Sequence, residues 1–177
     1  MKQAELTGWI DLYYTDESGF SLTPTVPYAW QEVGQTISLP SQRSKRVNVL
    51  GFMTARSDRD NDLVSYRVEG SIDSEVFIAC MNAFVASRRQ PTVVVCDNAS
   101  VHRSAKVAAM IPVWQEQGVG LFFLPRYSPH LNPIEILWRK MKYEWMPFGA
   151  YESWSHLVEA VERMLCQFGE EYTIKFA

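Results

Sequence analysis

Two short β-rich runs, LYYTD at residues 12–16 and TVVVCD at residues 92–97, each end in an aspartate and pass directly into polar turn residues, Glu17-Ser18-Gly19 and Asn98-Ala99-Ser100. Runs this apolar belong to strands buried in a sheet, and the polar residues after them mark the carboxyl ends at which such strands surface. Open α/β sheets assemble their sites along that edge. Asp16 and Asp97 are therefore the first candidates for chemistry.

The pattern around these runs supplies the rest of the layout. The first strand is read over residues 9–16, with Leu12, Tyr14 and Asp16 on one face and Asp11, Tyr13 and Thr15 on the other, so Asp11 and Glu17 point away from Asp16. Residues 20–40, with Pro24, Pro27, Tyr28 and Trp30, read as an irregular arm or insertion. Strands over residues 46–54 and 62–69 make an antiparallel hairpin with a polar tip. A helix runs from a cap within Ser71-Ile72-Asp73 to about Ser87, its core side marked by Val76, Phe77, Cys80, Phe84 and Val85, and Pro91 ends it.

After the strand over residues 92–96, a helix over residues 104–117 must kink or divide at Pro112, and a last strand covers residues 119–124. The loop PRYSPHLNP then leads into a helix over residues 134–145. Ile134, Leu137, Trp138, Met141 and Trp145 form its apolar stripe, and Glu135, Arg139 and Lys142 share a neighbouring face. A final amphipathic helix over residues 153–168 stops at Gly169. Strand, hairpin, helix, strand, helix, strand predicts one α/β domain over residues 1–177, a mixed central sheet flanked by helices.

With 177 residues, 47% hydrophobic and 13% aromatic, the chain has material for one core. Cys80, Cys96 and Cys166 lie scattered in apolar runs and read as buried thiols of a reducing compartment. No signal peptide, lipid motif or uninterrupted apolar span is present, so the expectation is a cytoplasmic protein with no membrane partner. A formal charge of −3 argues mildly against nucleic acid. The basic residues are nevertheless clustered: Arg43, Lys45 and Arg46; Arg88 and Arg89; Arg139, Lys140 and Lys142. Arg88 and Arg89 read as a solvated helix end that complements the dipole.

Glu135 is the third acid of interest. If Asp16, Asp97 and Glu135 converge to about 5 Å, each pair repels by roughly 3 kcal/mol at an effective dielectric of about 20. Such a cluster protonates or splays unless a cation joins it. An all-oxygen set suits Mg²⁺ or Mn²⁺, whereas zinc wants His or Cys at short spacing, which the sequence lacks. Two ions about 3.5 to 4 Å apart would clamp the attacking and leaving oxygens of an in-line displacement at phosphorus, and would take the sum of charges from −3 to −3 + 4 = +1. Each acid also has a plainer reading: Asp16 and Asp97 as turn residues, and Glu135 as the third helical residue of a capping box opened by Asn132 and Pro133.

TDESGF, VVVCDNASVH and LPRYSPHLNPIEILWRKMK resemble, in that order, the three catalytic blocks of DDE-superfamily transposases, specifically the bacterial insertion-sequence branch related to mariner elements. The third block is the most specific. The separations, 97 − 16 = 81 and 135 − 97 = 38, include the short second interval expected of that group, and the resemblance covers nearly the whole chain. It implies a ribonuclease H-like fold with Asp16 and Asp97 on adjacent central strands and Glu135 on a helix after the last strand. It also implies a DNA endonuclease and strand transferase that uses Mg²⁺ or Mn²⁺ to hydrolyse an element's ends and join the freed 3′-OH to target DNA. A homodimer in the active complex and a bacterial, nucleoid-associated location follow from the same likeness.

Family members usually carry an amino-terminal helix-turn-helix region. This sequence starts almost at the first catalytic strand, so recognition of the element's ends is expected from a separate region or chain. His102, five residues past Asp97, is a candidate to contact a phosphate or steer a water, against the plainer reading of hydrogen-bonded packing. Arg139 and Lys142 are candidates to hold phosphates beside Glu135, against simple helix solvation and pairing. The competing functions are a ribonuclease H or junction-type nuclease, which would want a fourth carboxylate, and a non-catalytic, partner-dependent DNA-binding remnant.

Overall fold

The computed structural model describes residues 1–25, 32–34, 46–58, 61–126 and 128–176. Most of the proposed arm, with Pro27, Tyr28 and Trp30, and the basic residues Arg43 and Lys45 lie outside them. After a short helix α1 (Lys2–Leu6), the chain forms β1 (Asp11–Phe20), β2 (Val47–Thr54) and β3 (Leu63–Val68), then α2 (Ser74–Ala86), β4 (Thr92–Cys96), α3 (Ala105–Glu116), β5 (Val119–Phe123), α4 (Ile134–Lys140) and α5 (Trp154–Cys166). The five strands make one mixed sheet in the order β3-β2-β1-β4-β5. β1 pairs antiparallel with β2 and parallel with β4, which places it at the centre.

Strand alternation sorts the apolar residues onto two faces. Leu12, Tyr14, Val49 and Met53 pack with Ile134, Leu137 and Trp138 of α4 and with Leu157 and Val161 of α5. Tyr13, Leu50, Phe52 and Val94 pack with Phe77, Met81 and Phe84 of α2 and with Val107 and Trp114 of α3. The sheet is thus covered on both sides, as the buried strand runs require. Three helices begin where a side chain satisfies their first amides: Asp73 accepts from the Glu75 and Val76 amides at 2.9 and 3.0 Å, Ser104 from Val107, and Ser153 from His156.

Several expectations need correction. β1 does not stop at Asp16 but continues to Phe20, because β2 pairs with it as far as Phe20 against Val47 and a backbone ladder needs no apolar side chains. Gly19 serves that stretch, since a Cβ there would lie 2.8 Å from Asn48 Oδ1. Of the two outcomes expected at Pro112, a kink or a division, division is excluded: α3 stays continuous while Pro112 faces solvent and Val107 and Trp114 are held in the core. Cys166 is exposed, unlike Cys80 and Cys96. Arg88 is not a solvated helix end: it donates to the Tyr13 hydroxyl at 2.6 Å and lies over the Phe84 ring.

The helix read over residues 134–145 exists in two parts. α4 passes into one wider, π-type turn at Met141–Trp145, a local feature common at functional sites. Its start is also different from a capping box. Asn132 gives its side-chain amide to the Thr15 carbonyl at 3.1 Å, and no side chain caps α4. Asn132 therefore ties the entry of α4 to β1 immediately beside Asp16.

Candidate active site

β1 and β4 run in parallel at a constant offset, Asp11 beside Thr92 and Tyr14 beside Val95, or 92 − 11 = 81. Asp97 and Asp16 differ by the same 81, so continuing that register two residues past its last pair sets the two aspartates side by side. Asp97 stands just after β4 ends, as expected, whereas Asp16 is held within β1 by its ladder to β2. By alternation Asp16 shares the face of Leu12 and Tyr14, the face covered by α4.

The approach of α4 depends on the residue opposite Asp16. That partner in β2 is Gly51, and a Cβ there would meet the Trp138 ring at 2.9 and 3.0 Å and Ile134 Cδ1 at 3.0 Å. The missing side chain lets the first turns of α4 settle on the sheet, bringing exposed Glu135 towards Asp16. Asp97, Asn98, Leu124, Pro125, Asn132 and Glu135 line a cleft of about 390 Å³.

The three carboxylates interact electrostatically. Burial, and then the charges of Glu17, Glu135 and Asp97, push the Asp16 carboxyl up to about 7, against a lowering contribution from the Glu17 backbone amide. Asp97 moves the other way. Its hydrogen bond from His102 holds it below the usual carboxylate range, helped by the Ala99 amide at 2.9 Å and opposed by burial. Among the described residues no three His, Cys, Asp or Glu side chains are gathered closely enough to hold a metal ion as they stand.

His102 is fully buried, so it is not placed to touch a phosphate, and the expectation of a DNA contact is corrected. Its Nδ1 lies 2.7 Å from Asp97 Oδ1, its Nε2 lies 3.3 Å from Glu17 Oε2, and its ring packs on Phe77 with 4.4 Å between centroids. The Nε2 contact is a charge contact rather than an aligned hydrogen bond. Burial pulls the imidazole towards neutrality, but Asp97 and Glu17 outweigh it and raise it to about 9.

Lys142, on the wider turn after α4, is half-buried with its ammonium 5.5 Å from the Phe20 ring centroid. Burial lowers its affinity for a proton, while Asp16 and Glu135 raise it, so this cation stands near both acids. Arg139 is exposed, and among the described residues no ion pair joins it to Glu135. Sequence reasoning missed two contributors. Asn132 passed for a cap because Asn before Pro is good capping chemistry, and the contact of Glu17 with His102 had no local signal because it joins β1 to the loop after β4.

Residues 11–158 match the model of the DDE superfamily endonuclease family. The chain belongs to that family. No curated protein matches it. Among solved structures, this DDE endonuclease is similar to the Mos1 strand transfer complex at 12% identity and a TM-score of 0.62, over 93% of this chain and 50% of that one. It is similar to the catalytic domain of Mos1 mariner transposase at 12% identity and a TM-score of 0.55, over 93% of this chain and 74% of that one. A simian T-cell lymphotropic virus intasome gives 9% identity and a TM-score of 0.56, over 87% and 48%. At such identities the likeness concerns the fold, which is the ribonuclease H-like one. The chain spans about half the length of the Mos1 chain in the strand transfer complex.

Proposed function

We propose that this chain is the catalytic domain of an insertion-sequence transposase, cutting and joining DNA strands at a site where Asp16, Asp97 and Glu135 hold two Mg²⁺ or Mn²⁺ ions. The observation that carries this reading is that Asp97 and Glu135 line one cleft while Asp16, in register with Asp97 across β1 and β4, is pushed towards protonation by burial and then by the charges of Glu17, Glu135 and Asp97. An all-oxygen donor set with surplus negative charge fits a hard divalent cation. When bound, such ions stabilise charge on the attacking and leaving oxygens of a phosphodiester.

The remaining roles fall to the protein's own groups. β1 holds Asp16 in place, Asn132 and Gly51 set the approach of Glu135, and Lys142 and Arg139 offer cations to phosphates flanking the cleft. The partners in this reading are element-end and target DNA, with two copies of the chain in the active complex and base-specific recognition by a helix-turn-helix region in this or another polypeptide. The bacterial cytoplasm, at the nucleoid, is the proposed compartment. A ribonuclease H-type site with a fourth carboxylate gains no support, because Glu17 is turned to the opposite face of β1 and onto His102.

The test is Mn²⁺-dependent nicking of DNA carrying the terminal repeats of the chain's own element. Asp16→Asn, Asp97→Asn and Glu135→Gln are each expected to lose several kcal/mol of transition-state stabilisation, about a hundredfold or more in rate, while remaining folded. Near-normal cleavage by any one of the three would remove that residue from the site.

A further inference from the structure

Resting on the reading of Asp97 as a metal ligand, we infer that His102 is a positioning residue that fixes which oxygen of Asp97 is offered to the metal. Asp97 Oδ1 already accepts two hydrogen bonds, from His102 Nδ1 at 2.7 Å and from the Ala99 amide at 2.9 Å. With Oδ1 engaged twice, Oδ2 is the oxygen left for a cation. A carboxylate hanging from a strand end by two side-chain torsions would otherwise swing freely.

His102 is suited to hold it because the ring is itself held. It has no exposed surface, packs against Phe77 of α2, and meets Glu17 through its far nitrogen at 3.3 Å. The hydroxyl of Ser74, at the start of α2, donates to the carbonyl of Val101 at 3.2 Å and fastens the segment that carries the ring. Glu17 and Asp16 are neighbours in sequence on opposite faces of β1, so one strand supplies both a candidate ligand and the far anchor of the group that orients another. Outer partners that orient a metal-binding side chain typically contribute about 10- to 100-fold to metal affinity.

Neutral replacements separate orientation from charge. The amide of an asparagine falls where the His Nδ1 stood and still reaches Asp97, whereas that of a glutamine falls near Nε2 and reaches Glu17. Mn²⁺ affinity of the full chain, measured by water-proton relaxation, is therefore expected to be about tenfold or more tighter in His102→Asn than in His102→Ala or His102→Gln. Glu17→Gln should weaken it by less than His102→Ala does. Thermal unfolding separates a folding defect from an orienting one, because a purely structural histidine would lower the midpoint in all three variants without ordering their Mn²⁺ affinities. Equal affinities in the Ala, Asn and Gln variants, with Asp97→Asn losing Mn²⁺, would overturn the positioning role and leave the site standing. Undiminished Mn²⁺ binding by Asp97→Asn would instead overturn the site itself.

Discussion

Asp16 gives the residue scale its sharpest consequence. Its carboxyl is pushed from 3.8 up to about 7 by burial and by Glu17, Glu135 and Asp97, so the folded protein holds this proton more tightly than the unfolded chain does. Between about pH 4 and pH 7 the native state binds more protons, and linkage then makes stability fall as pH rises; above both values the penalty is complete. At 1.36 kcal/mol per unit the contribution is of order 4 kcal/mol at most, reduced by solvent screening because Asp16 is only partly buried. Metal-free Asp16→Asn should consequently be more stable than the parent at pH 8, with a smaller difference at pH 5, as read from urea midpoints in chelator. Mn²⁺ should raise the parent's midpoint at pH 8 and leave that of the variant nearly unchanged. The position of Asp97 at a strand end was readable because turn residues follow a buried run. The burial of His102 was not, since Glu17, one of the two acids that enclose it, lies 102 − 17 = 85 residues away in sequence.

At the scale of elements, the placement of α4 is decided by a residue it does not contain. Gly51→Ala removes a glycine from a strand, a change worth about 0.5–1 kcal/mol in its favour by conformational entropy. The new methyl, however, would press on the Trp138 ring at 2.9 Å and on Ile134 at 3.0 Å, both buried. Overpacking of this kind costs about 1–3 kcal/mol, so the net expectation is a modest loss of thermal stability. Nicking should suffer disproportionately, because the helix pushed outward is the one that carries Glu135; equal losses in stability and rate would contradict this geometry. Strand β4, both arms of the hairpin and the helices α2 and α5 were legible because periodicity and capping residues agree there. The true end of β1 was hidden because pairing with β2 sustains it through polar residues, and the uninterrupted course of α3 because Val107 and Trp114 anchor the helix on either side of Pro112.

For the molecule as a whole, a formal charge of −3 must be reconciled with the proposed DNA substrate. Affinity for a plain duplex should therefore rise with Mn²⁺ at constant ionic strength, and Asp97→Asn should abolish the rise, as followed by fluorescence anisotropy. Replacing Arg139 or Lys142 by Gln should reduce the slope of log affinity against log salt by about 1 for each phosphate that the side chain neutralises. An unchanged slope would make that side chain a bystander. The mixed sheet with helices on both sides was legible from element order, but its strand order was not, because hydrophobic patterning says which face is buried and not which strand lies next to which. That same patterning does something further for β1. A slip of one residue would exchange Asp16 with Glu17, one acid for another, and the chemistry at the cleft mouth offers little objection. The objection comes from Leu12, Tyr14 and Tyr13, which would each be turned to the wrong layer. Proofreading of the alignment is thus delegated to side chains that never meet the substrate, and a softened core would lose fidelity in the site before it lost the fold.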